Sequence, residues 1–360
     1  MKRTIFILAI LFIFLGAVTL MNLISPAPSE KSKAEISSGT EYRYQELNPS
    51  PLVYPPKNFS NFQNFCTDFI FHYDAFAAEF SSPAPLEKRI MHANPSLYKD
   101  APGAHGGAGI LRYMVIFDQT AFETNWLFIH RGELLPGGGI GEHNHRTMEE
   151  MFCIFDGTAQ FTVNGRTSQL PGGSMVVCRK GNSHAIYNNT EKPVQWMNLA
   201  VATVKGKYDN IDFNDTRVGA ALESPVPFAV GYLDDRLIQW VEKAHDGKGK
   251  LGFRRIYSHD SFLTNWGFID HCVLPPGTSI GYHRHDTIEE CYMVIKGKGR
   301  ATMDGKTFDA QAGDFLLNRL HGEHGIYNNS QEDLVLINMC VSLEKGKFDA
   351  TNLGDDLSTK

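Results

Sequence analysis

The chain has 360 residues, enough for two domains with separate cores, and its 42% hydrophobic and 21% charged content is that of an ordinary globular protein. A net charge of −6 without any long basic run argues against a nucleic-acid binder. Fourteen histidines are more than a chain of this size needs, and six of them fall in two repeated clusters.

Residues 1–25 read as a signal peptide or signal-anchor. Lys2 and Arg3 precede an uncharged run, Thr4 to Ile24, that reaches membrane-spanning length. Pro26 and Pro28 leave no clear cleavage site, so cleaved and uncleaved forms both stay open. The expected location is therefore outside the cytosol (periplasmic, extracellular or secretory), or membrane-anchored through this segment alone. Residues 26–104 read as a Pro/Ser/Lys linker followed by a Phe-rich extension expected to pack on the first domain. Of six cysteines none repeats and several sit in apolar runs, so buried thiols are at least as well supported as disulfides. The N-x-S/T sites at Asn58, Asn188, Asn214 and Asn328 matter only in a eukaryotic secretory pathway.

The rest of the chain repeats itself. At a fixed offset of 140, residues 121–209 and 261–349 agree at 33 of 89 positions without a gap. Chance would give roughly one position in fifteen to twenty, so the duplication is secure. Each unit is a series of short β-branched and aromatic runs punctuated by Gly and Pro, with two-residue hairpin turns at Asn164-Gly165 and Asp304-Gly305. That pattern predicts an all-β fold of two small antiparallel barrels or jelly rolls, over 105–209 and 247–350, with a short tail at 351–360. The intervening residues 210–246 read as a linker with one helix. Asp234 or Asp235 would open it, and Leu237, Ile238 and Val241 would share one face.

The repeated chemistry lies in His143, His145, Glu150 and His184, and again in His283, His285, Glu290 and His324. In a strand, His283 and His285 point the same way, and Glu290 lies just beyond a short turn. Three imidazoles and a carboxylate inside a barrel make a mononuclear metal site.

Both units resemble cupin domains, and the chain resembles a bicupin. The first cupin motif is matched by Gly137, His143, His145, Glu150 and Gly157, and by Gly277, His283, His285, Glu290 and Gly297. The second is matched by Gly173, Gly181, His184 and Asn188, and by Gly313, His324 and Asn328. Arg179 and Arg319 replace the motif's proline, and His321 replaces its second glycine in the second unit. The resemblance implies two cupin barrels of the double-stranded β-helix kind, with one divalent metal in each. Mn or Fe leads, and Ni, Co or Zn is open. It also implies a metal-dependent dioxygenase, decarboxylase or isomerase acting on a small anionic or polyhydroxylated molecule. The rival is a non-catalytic sugar- or anion-binding cupin. A homo-oligomer is left open, and the membrane is a partner only through the N-terminal segment.

Alternation from Glu290 turns Tyr292 inward, where the first unit has Phe152. Tyr292 is thus a candidate proton or hydrogen-bond donor, and Arg300 a candidate partner for a substrate carboxylate. These two, with His321, favour the second barrel as the catalytic one. Arg179 and Arg319 are expected to buttress turns, and Glu149 and Glu289 to point away from the metal.

Overall fold

A computed structural model describes residues 85–360. The expected signal or anchor segment, the linker, the Phe-rich stretch and Cys66 lie outside the described residues. No helix among the described residues is long and apolar enough to cross a membrane.

Each repeat folds into two facing antiparallel sheets. In the first, a seven-stranded sheet runs Gly231–Tyr232, Ser174–Cys178, Met148–Ile154, Val194–Ala202, Trp126–Leu134, Ile110–Asp118, Lys99–Pro102. Its five-stranded partner runs Ile211–Asp215, Gly139–Asn144, Ser183–Tyr187, Thr158–Val163, Arg166–Pro171. The second repeat has the same two sheets about 140 residues on, except that one edge strand of its large sheet is Ile90–His92. The hairpins at Asn164-Gly165 and Asp304-Gly305 form as expected, all four residues at positive φ. The small sheets extend past the sequence bounds at 209 and 350, since Ile211–Asp215 and Thr351–Asp355 pair with the strands that carry His143 and His283.

Strand Met148–Ile154 shows why its sequence is apolar on both faces: every residue is buried. Phe152 and Ile154 point into the barrel, whereas Met151 and Cys153 join Trp126, Trp266 and Ile337 in a core shared by the two large sheets. The same alternation separates the paired acids. Glu150 enters the barrel, while Glu149 crosses to the other barrel and accepts from Leu263 N and from Thr264 N (2.7 Å) and Oγ1 (2.6 Å). Reciprocally, Glu289 accepts from Glu123 N (2.8 Å) and Thr124 N (2.7 Å). Burial pushes the Glu289 carboxyl up to about 6.

The segment preceding each barrel is donated to the other. Gly231–Tyr232 pairs with Ser174–Cys178 of the first barrel, and Ile90–His92 pairs with Asp314–Asn318 of the second. The extension was expected to pack on the first domain; its described part divides, Lys99–Pro102 pairing with Ile110–Asp118 of the first barrel and Ile90–His92 docking on the second. Leu86 and Ile90 lie against the second barrel's core, and buried Arg89 meets Asp304 at 2.5 Å.

The linker helix does not form. Asp234 does cap, accepting from Arg236 N, but only a single 3-10 turn, Asp235–Leu237, follows. Gln239–Glu242 is then extended and pairs with Lys250–Phe253. Leu237, Trp240 and Val241 are exposed, so no surface was waiting for a helical apolar face. The open edge of the large sheet instead supplied hydrogen bonds to a run with good strand formers, and the sheet edge won.

All five described cysteines are free and buried, as the lack of repetition suggested. Asn188 and Asn328 are also buried, each donating its amide to a strand carbonyl (Leu134 and Leu274, 2.9 and 2.7 Å), so neither is a glycan acceptor in the folded chain.

Candidate metal centres

The ligand-type residues converge because two paired strands of the small sheet and one strand of the large sheet face each other across the barrel. His143 and His184 are directly paired across Gly139–Asn144 and Ser183–Tyr187, and Glu150 enters from the large sheet opposite. The Nε2 atoms of His143, His145 and His184 lie 3.7, 3.5 and 2.8 Å from one Glu150 oxygen. In the second barrel His285 and His324 lie 3.6 and 3.0 Å from Glu290, and His283 stands beside His324, ring centroids 4.2 Å apart. Within each set the ligand atoms are within 4.8 Å of one another, and all eight residues are buried.

The orientation of the imidazoles is fixed from behind. His143 and His283 donate Nδ1–H to the carbonyls of Gly141 and Gly281, both at 2.8 Å. His145 and His285 do the same to the carbonyls of Asp209 and Asp349. Those tautomers put the Nε2 lone pairs inward. Nε2 of all four histidines is buried with no hydrogen-bond partner. Such orphan acceptors cost roughly 1–3 kcal/mol each, a cost a bound divalent cation removes, so the residues present fit a metal. Burial alone would raise the Glu150 and Glu290 carboxyls. The surrounding imidazoles outweigh it and hold both well below the usual carboxylate range. Burial, with His143 beside it, drives His184 down to about 3, so that ring is neutral.

The repeated KGKYD and KGKFD motifs, at 205–209 and 345–349, end on these supporting aspartates. Asp209 also accepts from Arg146 N (2.7 Å) and Thr147 N (3.0 Å), and so ties down the turn between His145 and Glu150. The structure adds two residues that the sequence reading missed. His105 stacks on His143 with ring centroids 3.9 Å apart, and His245 stacks on His283 at 3.7 Å. Both have left-handed backbone, with φ of 51° and 52°. The legible signal was AHGG at 104–107 against AHDG at 244–247, at the same offset as the repeat.

Of the proposed catalytic pair, Tyr292 does face inward. It is buried, its ring is 5.5 Å from that of His324, and burial with the Glu290 carboxylate nearby pushes its hydroxyl well above the usual phenol range. Asn338 Nδ2 donates to the same carboxylate at 3.1 Å. Arg300 is not at the site. Ala301 and Met303 take the inward places in its strand, so Arg300 lies on the outer face, its guanidinium 5.6 Å from the centre of the Tyr327 ring. His321 is also outside, its side chain 67% exposed and 2.9 Å from Asp286. Arg179 buttresses the neighbouring barrel, donating Nε–H to Ser261 O at 2.8 Å, whereas Arg319 stays within its own and reaches Asp304 at 3.4 Å.

The two barrels differ most at their mouths. In the first, a cavity of about 620 Å³ reaches His143 and Glu150. Val115 and His130 face it as a cross-strand pair. In the second barrel the same two positions are Arg255 and Asp270, joined by two hydrogen bonds of 2.9 and 3.0 Å, with the guanidinium 4.4 Å over the Phe268 ring.

A family profile described as the Cupin domain matches residues 130–201 and 270–341, one match in each barrel. An oxalate-binding protein of Thermotoga maritima is 26% identical over 103 residues, covering 29% of this chain and 85% of its own. Among solved structures, a mutant of the Bacillus subtilis oxalate decarboxylase superposes with a TM-score of 0.52 and 16% identity, over 76% of this chain and 81% of its own. Another structure of that enzyme comes from work on its Mn(II) centres. The Lactobacillus farciminis oxalate decarboxylase, in a formate complex, gives 0.52 and 14% over 76% of this chain and 90% of its own.

Proposed function

The chain is a bicupin, two cupin domains in tandem, and on that premise we propose that it is a metal-dependent enzyme acting on a small, oxygen-rich anion. The observation that carries this reading is the buried three-histidine, one-glutamate set at the base of the open cavity in the first barrel. His143, His145, Glu150 and His184 would hold one divalent ion, and His283, His285, Glu290 and His324 a second. Manganese or iron suits these ligand types, and the Mn(II) centres of the Bacillus subtilis relative favour manganese. Such an ion supplies Lewis acidity toward a chelating anion, or a centre for O₂ chemistry.

The protein's own groups do the rest. The backbone carbonyls behind His143 and His145 hold the rings in the ligating tautomer. Glu150 stays ionised among them. Buried Phe152 and Trp196, whose rings lie 6.1 Å apart, pack beside the centre and limit water there. In the second barrel Asn338 holds Glu290 and buried Tyr292 packs beside His324, positioning roles rather than contact with substrate.

Decarboxylase-like or dioxygenase-like chemistry leads this reading, and the names of the oxalate-binding and oxalate-decarboxylating proteins that the chain resembles support an oxygen-rich anion as substrate. The test is to load the protein with Mn(II) or Fe(II) and offer a panel of dicarboxylic, 2-oxo and 2-hydroxy acids, following CO₂ release and O₂ uptake. Turnover that disappears in His143→Ala/His145→Ala supports the enzyme. Stoichiometric metal with anion binding and no turnover would leave the binding-protein reading, which the Thermotoga maritima relative favours by its name. We also propose, on the charge-free run after Lys2 and Arg3, that residues 1–25 export or anchor the chain. Recovery of a C-terminally tagged chain in the cytosolic fraction would contradict that.

A further inference from the structure

Resting on the metal-enzyme reading, we propose that the first barrel alone takes the substrate, and that the substrate is a monoanionic 2-hydroxy acid with an apolar, ring-sized body. The cavity above His143 and Glu150 measures about 620 Å³, far more than two carboxyl groups need. Its walls include Leu111, Tyr113, Phe128 and Trp196, which suit a flat apolar group. No lysine or arginine lines it among the described residues. A divalent ion held by three neutral imidazoles and one carboxylate keeps about one net positive charge. One carboxylate on the ligand matches that charge, whereas a second would enter an apolar pocket with no cation to meet it. Asn198 faces the cavity on the strand next to Glu150, and its Oδ1 is buried without a partner. An acceptor left open beside the centre fits a hydroxyl next to the ligand's carboxylate.

The second barrel keeps the ligands and changes the walls. Trp196 becomes Leu336, and the Val115–His130 pair becomes the Arg255–Asp270 pair lying over Phe268. A charged pair joined by two hydrogen bonds now spans the positions that open onto the first cavity. The second metal set is thereby left to hold its own barrel together.

The test uses the full chain carrying Mn(II), with metal content measured before any acid is added. Mandelate has the proposed head and body, glycolate the head alone, and oxalate a second charge in place of the body. Calorimetric titration is expected to show one site per chain and mandelate binding about tenfold or more tighter than glycolate. Val115→Arg/His130→Asp, which installs the second barrel's pair in the first, is expected to weaken mandelate about tenfold or more while both metals remain. Should that variant lose metal, Trp196→Leu decides, and it is expected to weaken mandelate more than glycolate. Oxalate binding more tightly than mandelate, two equal sites, or equal losses for mandelate and glycolate overturns the proposal. A first barrel without metal overturns instead the metal-enzyme reading on which it rests.

Discussion

At the scale of single residues, the site depends on what stands behind each ligand as much as on the ligand. Gly141 shows this. Its carbonyl orients His143, and a Cβ built on it would meet His105 O at 2.2 Å and Gly107 N at 2.7 Å. Alanine there must push the His105 turn off the ring it stacks on. We expect Gly141→Ala to lose about 1–3 kcal/mol of stability and to weaken metal binding in the first barrel about tenfold, with the second barrel unchanged. Thermal melts and a Mn(II) titration check this, and two wild-type affinities would contradict it. The eight ligands were legible in the sequence because His-x-His and the following Glu are local, and the duplication printed them twice. Their supports were harder to see. His105 lies 38 residues before His143 and Asp209 lies 64 after His145, so only the fold brings them together. Arg300 misled for a related reason: its charge suggested a substrate, and the alternation of its own strand turns it outward.

At the scale of elements, the barrels are held by reciprocal contacts. Glu289→Leu strands two buried N–H groups, Glu123 and Thr124, and should cost about 2–4 kcal/mol in chemical denaturation. The glutamate's own contribution depends on pH. With its folded value raised to about 6 from an ordinary 4.5, its contribution is full below the ordinary range and is lost as pH rises through about 6. Wild type should therefore lose about 1–2 kcal/mol relative to Glu289→Gln between pH 4.5 and 7. A constant difference across that range would contradict the assignment. The donated arm can be tested separately. Arg89→Ala removes a buried partner of Asp304, and hydrogen exchange should then rise in Asp314–Asn318 while Ser174–Cys178 stays protected. Strands and hairpin turns were legible from alternation and Asn-Gly or Asp-Gly pairs. The linker strand was not, because Leu237, Ile238 and Val241 have helical spacing and the deciding partner, Lys250–Phe253, lies beyond the linker.

At the scale of the whole molecule, duplication produced two barrels with one ligand set and two different mouths. The sequence comparison showed the shared ligands and also showed substitutions, but gave no depth to them. Tyr292, the candidate donor where the first unit has Phe152, is buried in the barrel with its ring against His324. Val115 and His130 line the first cavity, where the second barrel has the hydrogen-bonded Arg255 and Asp270. Metal should be part of the stability of both barrels: Mn(II) at a hundred times its Kd is expected to add about 2.7 kcal/mol per site, seen as a rise in Tm. The central claim is two independent metal centres built from equivalent residues. Elemental analysis of the purified chain, beside His143→Ala/His145→Ala and His283→Ala/His285→Ala, tests it most directly. Two divalent ions per wild-type chain and one in each variant is the result predicted. A folded wild-type chain without stoichiometric metal, or the loss of both ions from either pair of substitutions, would contradict it.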